Sequence, residues 1–135
     1  MIYEPREDSL LLQKHVLQYA RGSVLDMGSG SGIQAETALQ KTPDVLAVDI
    51  DDDAILHLKK KNIKVMKSDL FAKVPKKKFD LIIFNPPYLP EDKRERVEDR
   101  VALTGGKYGY EILERFFSQA KNYLKDNGKI LIVFS

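Results

Sequence analysis

The sequence predicts an α/β fold: a parallel sheet of five strands in the order 3-2-1-4-5, with helices on both faces. Three observations carry this. Apolar strand-like runs alternate with amphipathic helical stretches along the whole chain. Phe79-Asp80-Leu81-Ile82-Ile83-Phe84 is a short apolar run that ends abruptly on Asn85-Pro86-Pro87-Tyr88. That pattern suits a strand buried on both faces, because two prolines cannot donate to a sheet ladder. Finally, a glycine-rich turn follows the first strand, and acids end the strands beside it, where open α/β sheets place their ligands.

The composition suits a single domain with its own core. The chain has 135 residues, 43% of them hydrophobic and 31% charged. The absence of cysteine excludes disulfides and thiolate metal sites. The net charge of +2 permits contact with nucleic acid without arguing for it. No run is long enough to span a membrane, and the expected location is the cytoplasm.

Residues 7–21 read as the first helix, with Asp8 and Ser9 suited to its cap, Gly22 as its stop, and Leu10, Leu11 and Leu17 widening a face set by Leu12, Val16, Tyr19 and Ala20. Val24–Met27 is the first strand. Gly28, Gly30 and Gly32 alternate in the turn after it and allow close approach by a ligand. A dinucleotide fingerprint needs a small residue at position 33, but Ile33 is there. The turn therefore fits a ligand whose amino-acid end meets it, rather than a pyrophosphate. A helix is expected from Ile33 to about Lys41.

Val45–Asp49 is the second strand, and Asp49 falls about 20 residues beyond Gly28, the spacing at which a carboxylate holds ribose hydroxyls. Asp51, Asp52 and Asp53 open the next helix, as suits its positive end, and Lys59–Lys61 close it. His15 and His57 are expected on solvent-facing sides of helices, with no chemical role. Ile63–Met66 is a short edge strand, followed by Ser68-Asp69-Leu70. Asp26, Asp49 and Asp69 each fit a cap or loop residue taken singly, yet all three stand at strand ends facing one crevice. Lys73–Lys78 is a solvated turn.

Strand four holds Asn85 extended at its carboxyl end, because the residue before a proline is pushed out of the helical region. Pro86 and Pro87 stiffen the turn and offer free carbonyls, and Tyr88 adds a flat aromatic face. The cluster suits a planar group carrying an NH2, either an amide or a nucleobase amine. The polar stretch Leu89–Gly109 is long enough to be a lid or binding loop. A helix is expected from about Tyr110 to Lys125, with Ile112, Leu113, Phe116, Phe117, Ala120 and Leu124 inward. Asp126-Asn127-Gly128 should stop it before a fifth strand, Lys129–Phe134.

With these residues in place, the chain resembles the HemK-like class I S-adenosylmethionine-dependent methyltransferases. It is most similar to their short archaeal and eukaryotic branch, the release-factor glutamine methyltransferases. Tyr3-Glu4-Pro5-Arg6-Glu7-Asp8, Asp26 to Gly32, Asp49, Ser68-Asp69-Leu70, Asn85 to Tyr88, and Gly105-Gly106-x-x-Gly109 leading into Phe116-Phe117 carry the resemblance.

The resemblance implies a Rossmann-like methyltransferase sheet and S-adenosyl-L-methionine as cofactor. Ser9, Asp26 and Gly28 would meet the methionine end, beside Gly30 of the same turn, with Asn85 close by. Asp49 would hold the ribose, and Asp69 and Leu70 the adenine. Asn85 and the Pro86 carbonyl would accept hydrogen bonds from the substrate NH2, with Pro87 stiffening the turn and Tyr88 packing on the plane. No metal is implied.

The implied substrate is the glutamine of the Gly-Gly-Gln motif in a peptide-chain release factor. A small zinc-binding activator subunit is expected at the strand 3 edge. The same acceptors fit the exocyclic amine of adenine in DNA or RNA, and a cofactor-binding module without activity is the third reading. Such methyltransferases usually continue past strand 5 into a helix and an antiparallel hairpin. Residues 1–135 are therefore expected to form one methyltransferase domain lacking its C-terminal strands, with the apolar strand 5 left as an uncovered edge.

Overall fold

A computed structural model describes residues 7–86 and 108–133. The opening element Tyr3–Arg6, the pair Pro87-Tyr88, the polar stretch from Leu89 to Lys107, and Phe134 lie outside the described residues.

The elements run α1 (Glu7–Tyr19), β1 (Ser23–Met27), α2 (Ile33–Leu39), β2 (Asp44–Asp49), α3 (Asp52–Lys60), β3 (Val65–Lys67), β4 (Phe79–Phe84), α4 (Tyr108–Ala120), a 3-10 turn (Lys121–Tyr123) and β5 (Leu124–Ile132). The strands form one sheet in the order β3-β2-β1-β4-β5, and every pairing is parallel. This is the order the alternation of elements predicts.

The central strands are apolar on both sides because both sides are covered. One face carries Val24, Val45, Ala47, Leu81 and Ile83, packed with Leu12 and Val16 of α1 and Ala35 and Ala38 of α2. The other carries Leu25, Met27, Val48, Ile82 and Phe84, packed with Phe116 of α4 and with Phe71 and Val74 from the turn after β3. Phe84 and Phe116 stack at 4.2 Å between centroids, a contact contributing about 0.5–1.5 kcal/mol beyond the area it buries.

Several boundaries differ from the sequence reading, each for a packing reason. In α1 the inward stripe is Ser9, Leu12 and Val16, and Leu10, Leu11 and Leu17 stay exposed instead of widening it. A helix against one neighbouring surface buries a stripe, and these three leucines fall off it. Strand three is Val65–Lys67; Ile63 instead turns into the core at 4% exposure. His57 is half-buried rather than solvent-facing, because α3 packs beside the glycine turn and its ring Nε2 lies 3.1 Å from the Ser31 carbonyl.

The largest difference is at the C-terminal end. The helix expected to run to Lys125 stops at Ala120, with Phe117 outward at 44% exposure. Asp126-Asn127-Gly128 does not separate helix from strand but lies inside β5. Phe79 pairs with Leu124 and Leu81 with Lys129, so Asp80 alone on β4 stands against residues 125–128. This is a bulge, in which turn-forming residues are looped out of a ladder instead of ending it. β5 is an outer strand, and Ile130, Leu131 and Ile132 are half-buried.

Candidate active site

The carboxyl ends of β1, β2 and β4 surround a crevice of about 330 Å³, within the range of small-molecule sites. Ser9, Gly28, Gly30, Asp49, Asp69, Leu70, Asn85 and Pro86 all line it. The sheet order explains the convergence: β1 lies between β2 and β4, so the glycine turn is flanked by Asp49 on one side and Asn85 on the other.

The glycine turn is drawn onto the end of β2. Gly28 N–H and Ser29 N–H both donate to the Val48 carbonyl, at 2.8 and 3.0 Å. Gly28 has φ +71°, and a Cβ there would stand 3.5 Å from the Asn85 carbonyl oxygen. The backbone conformation, more than the space, makes this a glycine position.

Asp49 is already engaged. Its Oδ2 accepts the Gly30 N–H at 2.8 Å, and its Oδ1 accepts the Asp51 N–H at 2.9 Å. The carboxylate thus joins the glycine turn to the entry of α3, and each oxygen keeps a further acceptor direction.

Asp26 does not line the crevice. It is 1% exposed beneath the turn, where its Oδ2 accepts the Ser29 hydroxyl at 2.7 Å. Burial pushes its carboxyl up to about 6; the Ser29 hydrogen bond opposes this and the charge of Asp49 adds to it.

Beyond β3 the wall is strained. Leu70 holds a left-handed conformation at φ +52°, which costs a non-glycine residue on the order of 1–3 kcal/mol. Ser68 holds it there: its hydroxyl donates to the Leu70 carbonyl at 2.8 Å and accepts the Lys73 N–H at 2.9 Å. Asp69, about half exposed where it lines the crevice, pairs with Arg115 of α4 at 2.9 Å. Ile50, 60% exposed, joins Leu70 and Ile112 in an apolar side to the crevice.

On the other wall, Asn85 Nδ2 donates to Ser9 Oγ at 3.4 Å. Asn85 Oδ1 is buried and has no hydrogen-bond partner among the described residues. Ser9 is fully buried, and its carbonyl accepts Gln34 Nε2 at 2.9 Å. The described residues contain no group of three or more His, Cys, Asp or Glu able to hold a metal. No helix among them is long and apolar enough to cross a membrane.

The sequence reading gives no site role to Gln34, Ile50, Ser68 or Arg115. Gln34 carried a signal, since a long polar side chain shares the buried face of α2 with Ala38. Ile50 carried another, an apolar side chain exposed directly after a strand end. Ser68 and Arg115 act through partners that no local pattern announces.

Residues 7–135 match the methyltransferase small domain family. The chain belongs to that family. Among relatives of this methyltransferase, a Methanocaldococcus jannaschii protein assigned as a protein N5-glutamine methyltransferase is 39% identical over 143 residues, covering 99% of this chain and 72% of that protein. The release factor glutamine methyltransferase of Shewanella oneidensis is 33% identical over 146 residues, covering 95% of this chain and 51% of that protein. The methyltransferase thus spans about half the length of the second relative.

Among solved structures, an S-adenosylmethionine-dependent methyltransferase from Bacteroides fragilis in complex with S-adenosyl-L-homocysteine superposes with a TM-score of 0.60 at 26% identity, over 88% of this chain and 44% of that one. The E. cuniculi Mtq2–Trm112 complex, responsible for methylation of the eRF1 translation termination factor, superposes at 0.66 with 26% identity, over 87% of this chain and 67% of that one. The fold is that of the class I methyltransferases, and S-adenosylmethionine is its cofactor. The residues present fit it: a glycine turn with φ positive at Gly28, Gly30 and Gly32, an acid with acceptor directions left, an apolar side, and an orphaned buried acceptor.

Proposed function

We propose that this methyltransferase transfers a methyl group to the side-chain amide nitrogen of a protein glutamine, and that this glutamine lies in the Gly-Gly-Gln motif of a peptide-chain release factor. The observation that carries the reading is the buried Asn85 Oδ1, an acceptor without a partner among the described residues, on the crevice wall beside the glycine turn. A buried acceptor left unmade is costly, so such an atom suits a donor that arrives with a ligand.

The roles follow from position. Asp49 offers its remaining acceptor directions to ribose hydroxyls, and Gly28 and Gly30 let the methionine end approach the backbone. Asp26 acts from beneath the turn through Ser29. Leu70 and Ile50 flank the adenine, and Asp69 takes its amine with the oxygen not engaged by Arg115. When bound, S-adenosylmethionine supplies a sulfonium methyl to an attacking lone pair.

An amide nitrogen attacks poorly because its lone pair is delocalised into its carbonyl. Asn85 Oδ1 and the Pro86 carbonyl accept its two N–H bonds and favour a pyramidal nitrogen. The new N–C bond leaves the nitrogen positively charged, and it then loses one of those protons to solvent, so that the product is a neutral amide. Alignment supplies much of the rate, and preorganised dipoles supply more. Pro87 and Tyr88, expected to stiffen the turn and to pack on the plane of the substrate, lie outside the described residues.

We also propose a small zinc-binding activator subunit on the β3 edge. β3 is the other outer strand, and its Val65 and Met66 are only half-buried. The partnered E. cuniculi structure supports this reading.

The test is transfer of labelled methyl from S-adenosylmethionine, with and without such a subunit. The acceptors compared are a Gly-Gly-Gln release factor, its Gln→Ala variant, and adenine-containing DNA and RNA. Label on the first alone is the expected result. Label on nucleic acid instead moves the activity to the amine of adenine, and cofactor binding without transfer leaves a binding module.

A further inference from the structure

The seam between α1 and α2 is joined by two glutamines, and only one of them leads to the crevice. Gln13 Nε2, on α1, donates to Thr37 Oγ1 at 3.0 Å, and the Thr37 hydroxyl donates in turn to the Ile33 carbonyl at 2.7 Å. That tie stays within the helices. Gln34 Nε2, on α2, donates to the Ser9 carbonyl at 2.9 Å, and the hydroxyl of the same Ser9 accepts Asn85 Nδ2 at 3.4 Å. Gln34 is 3% exposed and Ser9 is fully buried, so solvent does not substitute readily for either bond.

The orientation of the Gln34 amide is set by chemistry. Turned over, it would aim its oxygen at the Ser9 carbonyl, acceptor against acceptor. In the orientation present, Gln34 holds the first turn of α1 against α2, and Ser9 holds the amine side of the Asn85 amide. With its nitrogen on Ser9, Asn85 keeps Oδ1 as an acceptor without a partner among the described residues.

We propose that Gln34 and Ser9 are positioning residues that fix the amide plane of Asn85. This inference rests on Asn85 being the acceptor for the substrate nitrogen, as argued above. Neither residue touches the reacting atoms in this role. A short relay from α2 through α1 to the end of β4 sets the direction of one carbonyl. Because transfer depends on alignment, a misplaced acceptor lowers turnover without weakening the hold on the cofactor.

The experiment compares Gln34→Met, Ser9→Ala and Gln13→Met with the parent chain. Gln13→Met removes the other seam bond and serves as the control for stability alone. The first readout is the side-chain NH2 signal of Asn85 in a ¹⁵N-labelled protein, assigned by its loss in Asn85→Asp. In the parent, the two protons should be resolved and motionally restricted. In Gln34→Met and Ser9→Ala they should show increased motion, and in Gln13→Met they should match the parent.

The second readout is kinetic. In Gln34→Met, kcat should fall about 10- to 100-fold, while the calorimetric Kd for S-adenosylmethionine stays within about twofold, its methionine end meeting other groups. An unchanged Asn85 signal in both relay variants overturns the proposal, whether or not the parent methylates the chosen acceptor. So does a Gln34→Met variant whose cofactor affinity falls while kcat holds, because that residue is then a cofactor ligand. A parent chain that methylates nothing, with the NH2 signals behaving as stated, counts against the substrate reading and leaves the relay supported.

Discussion

Asp49 Oδ2 accepts the Gly30 N–H at 2.8 Å, so the end of the second strand holds the middle of the glycine turn. One side chain therefore both shapes the turn and faces the crevice. Asp49→Ala is expected to weaken S-adenosylmethionine binding by about 1.5–3 kcal/mol, the range for a hydrogen bond to a charged group. Calorimetry measures the loss. Increased amide exchange at Gly30 should accompany it, and unchanged affinity would remove Asp49 from the cofactor site.

Asn85→Ala should act on rate. Losing one preorganised polar group costs about 10²–10³ in turnover. The melting temperature should hold to within a few degrees, because Asn85 is half-buried at a strand end rather than in the core. Steady-state kinetics with a Gly-Gly-Gln acceptor provide the check, and parent-level turnover in the variant would sink the assignment.

The buried Asp26 predicts a pH effect with a definite sign. Its folded pKa, about 6, lies above the ordinary 3.8 because burial disfavours the charged form. The folded state therefore binds the proton more tightly than the unfolded chain. The stability this contributes is fully present below 3.8 and is lost as pH rises through about 6. Asp44 and Asp80 work in the opposite direction, held low by the Ser23 hydroxyl and the Ser23 N–H respectively. The clean measure is thus the difference between the parent and Asp26→Asn. The variant should be more stable by about 1–3 kcal/mol at pH 7.5, with the gain shrinking toward pH 4. Urea melts across that range would show it, and a gain independent of pH would count against the buried carboxyl as its source.

Gly32 should tolerate no side chain. It caps α2 at φ +89°, and a Cβ there would sit 2.7 Å from Leu58 Cδ2 and 3.3 Å from Ile63 Cδ1. Leu58 is fully buried, so it has little room to yield. Gly32→Ala is expected to cost about 1–3 kcal/mol from backbone strain and overpacking combined. A thermal melt would read this, and a shift under one degree would show that the turn relaxes more readily than its packing suggests.

Much of the fold is legible in the sequence. Strand and helix periods are local, and so are the glycine turn and the proline stop after Asn85; together they led to the order 3-2-1-4-5. The crevice followed, because strand order alone brings the carboxyl ends of β1, β2 and β4 together. The exposed Phe117 and the bulged start of β5 were not legible. Residues 126–128 have the chemistry of a turn, and only pairing with β4 decides that they loop out of a strand.

The sequence by itself determined that Gly28, Asp49, Asp69 and Asn85 reach the crevice, because each sits at or just past the end of a strand whose direction and neighbours follow from local pattern. Tertiary structure alone decided what those residues can do there. Asp49 spends part of its capacity on two backbone N–H groups, Asp26 lies under the turn rather than in the site, and Asn85 meets Ser9, 76 residues earlier, through its nitrogen while its oxygen has no partner among the described residues. The physical reason is separation along the chain. A hydrogen bond between side chains on different elements leaves no periodicity in the sequence, and only packing brings its two ends together.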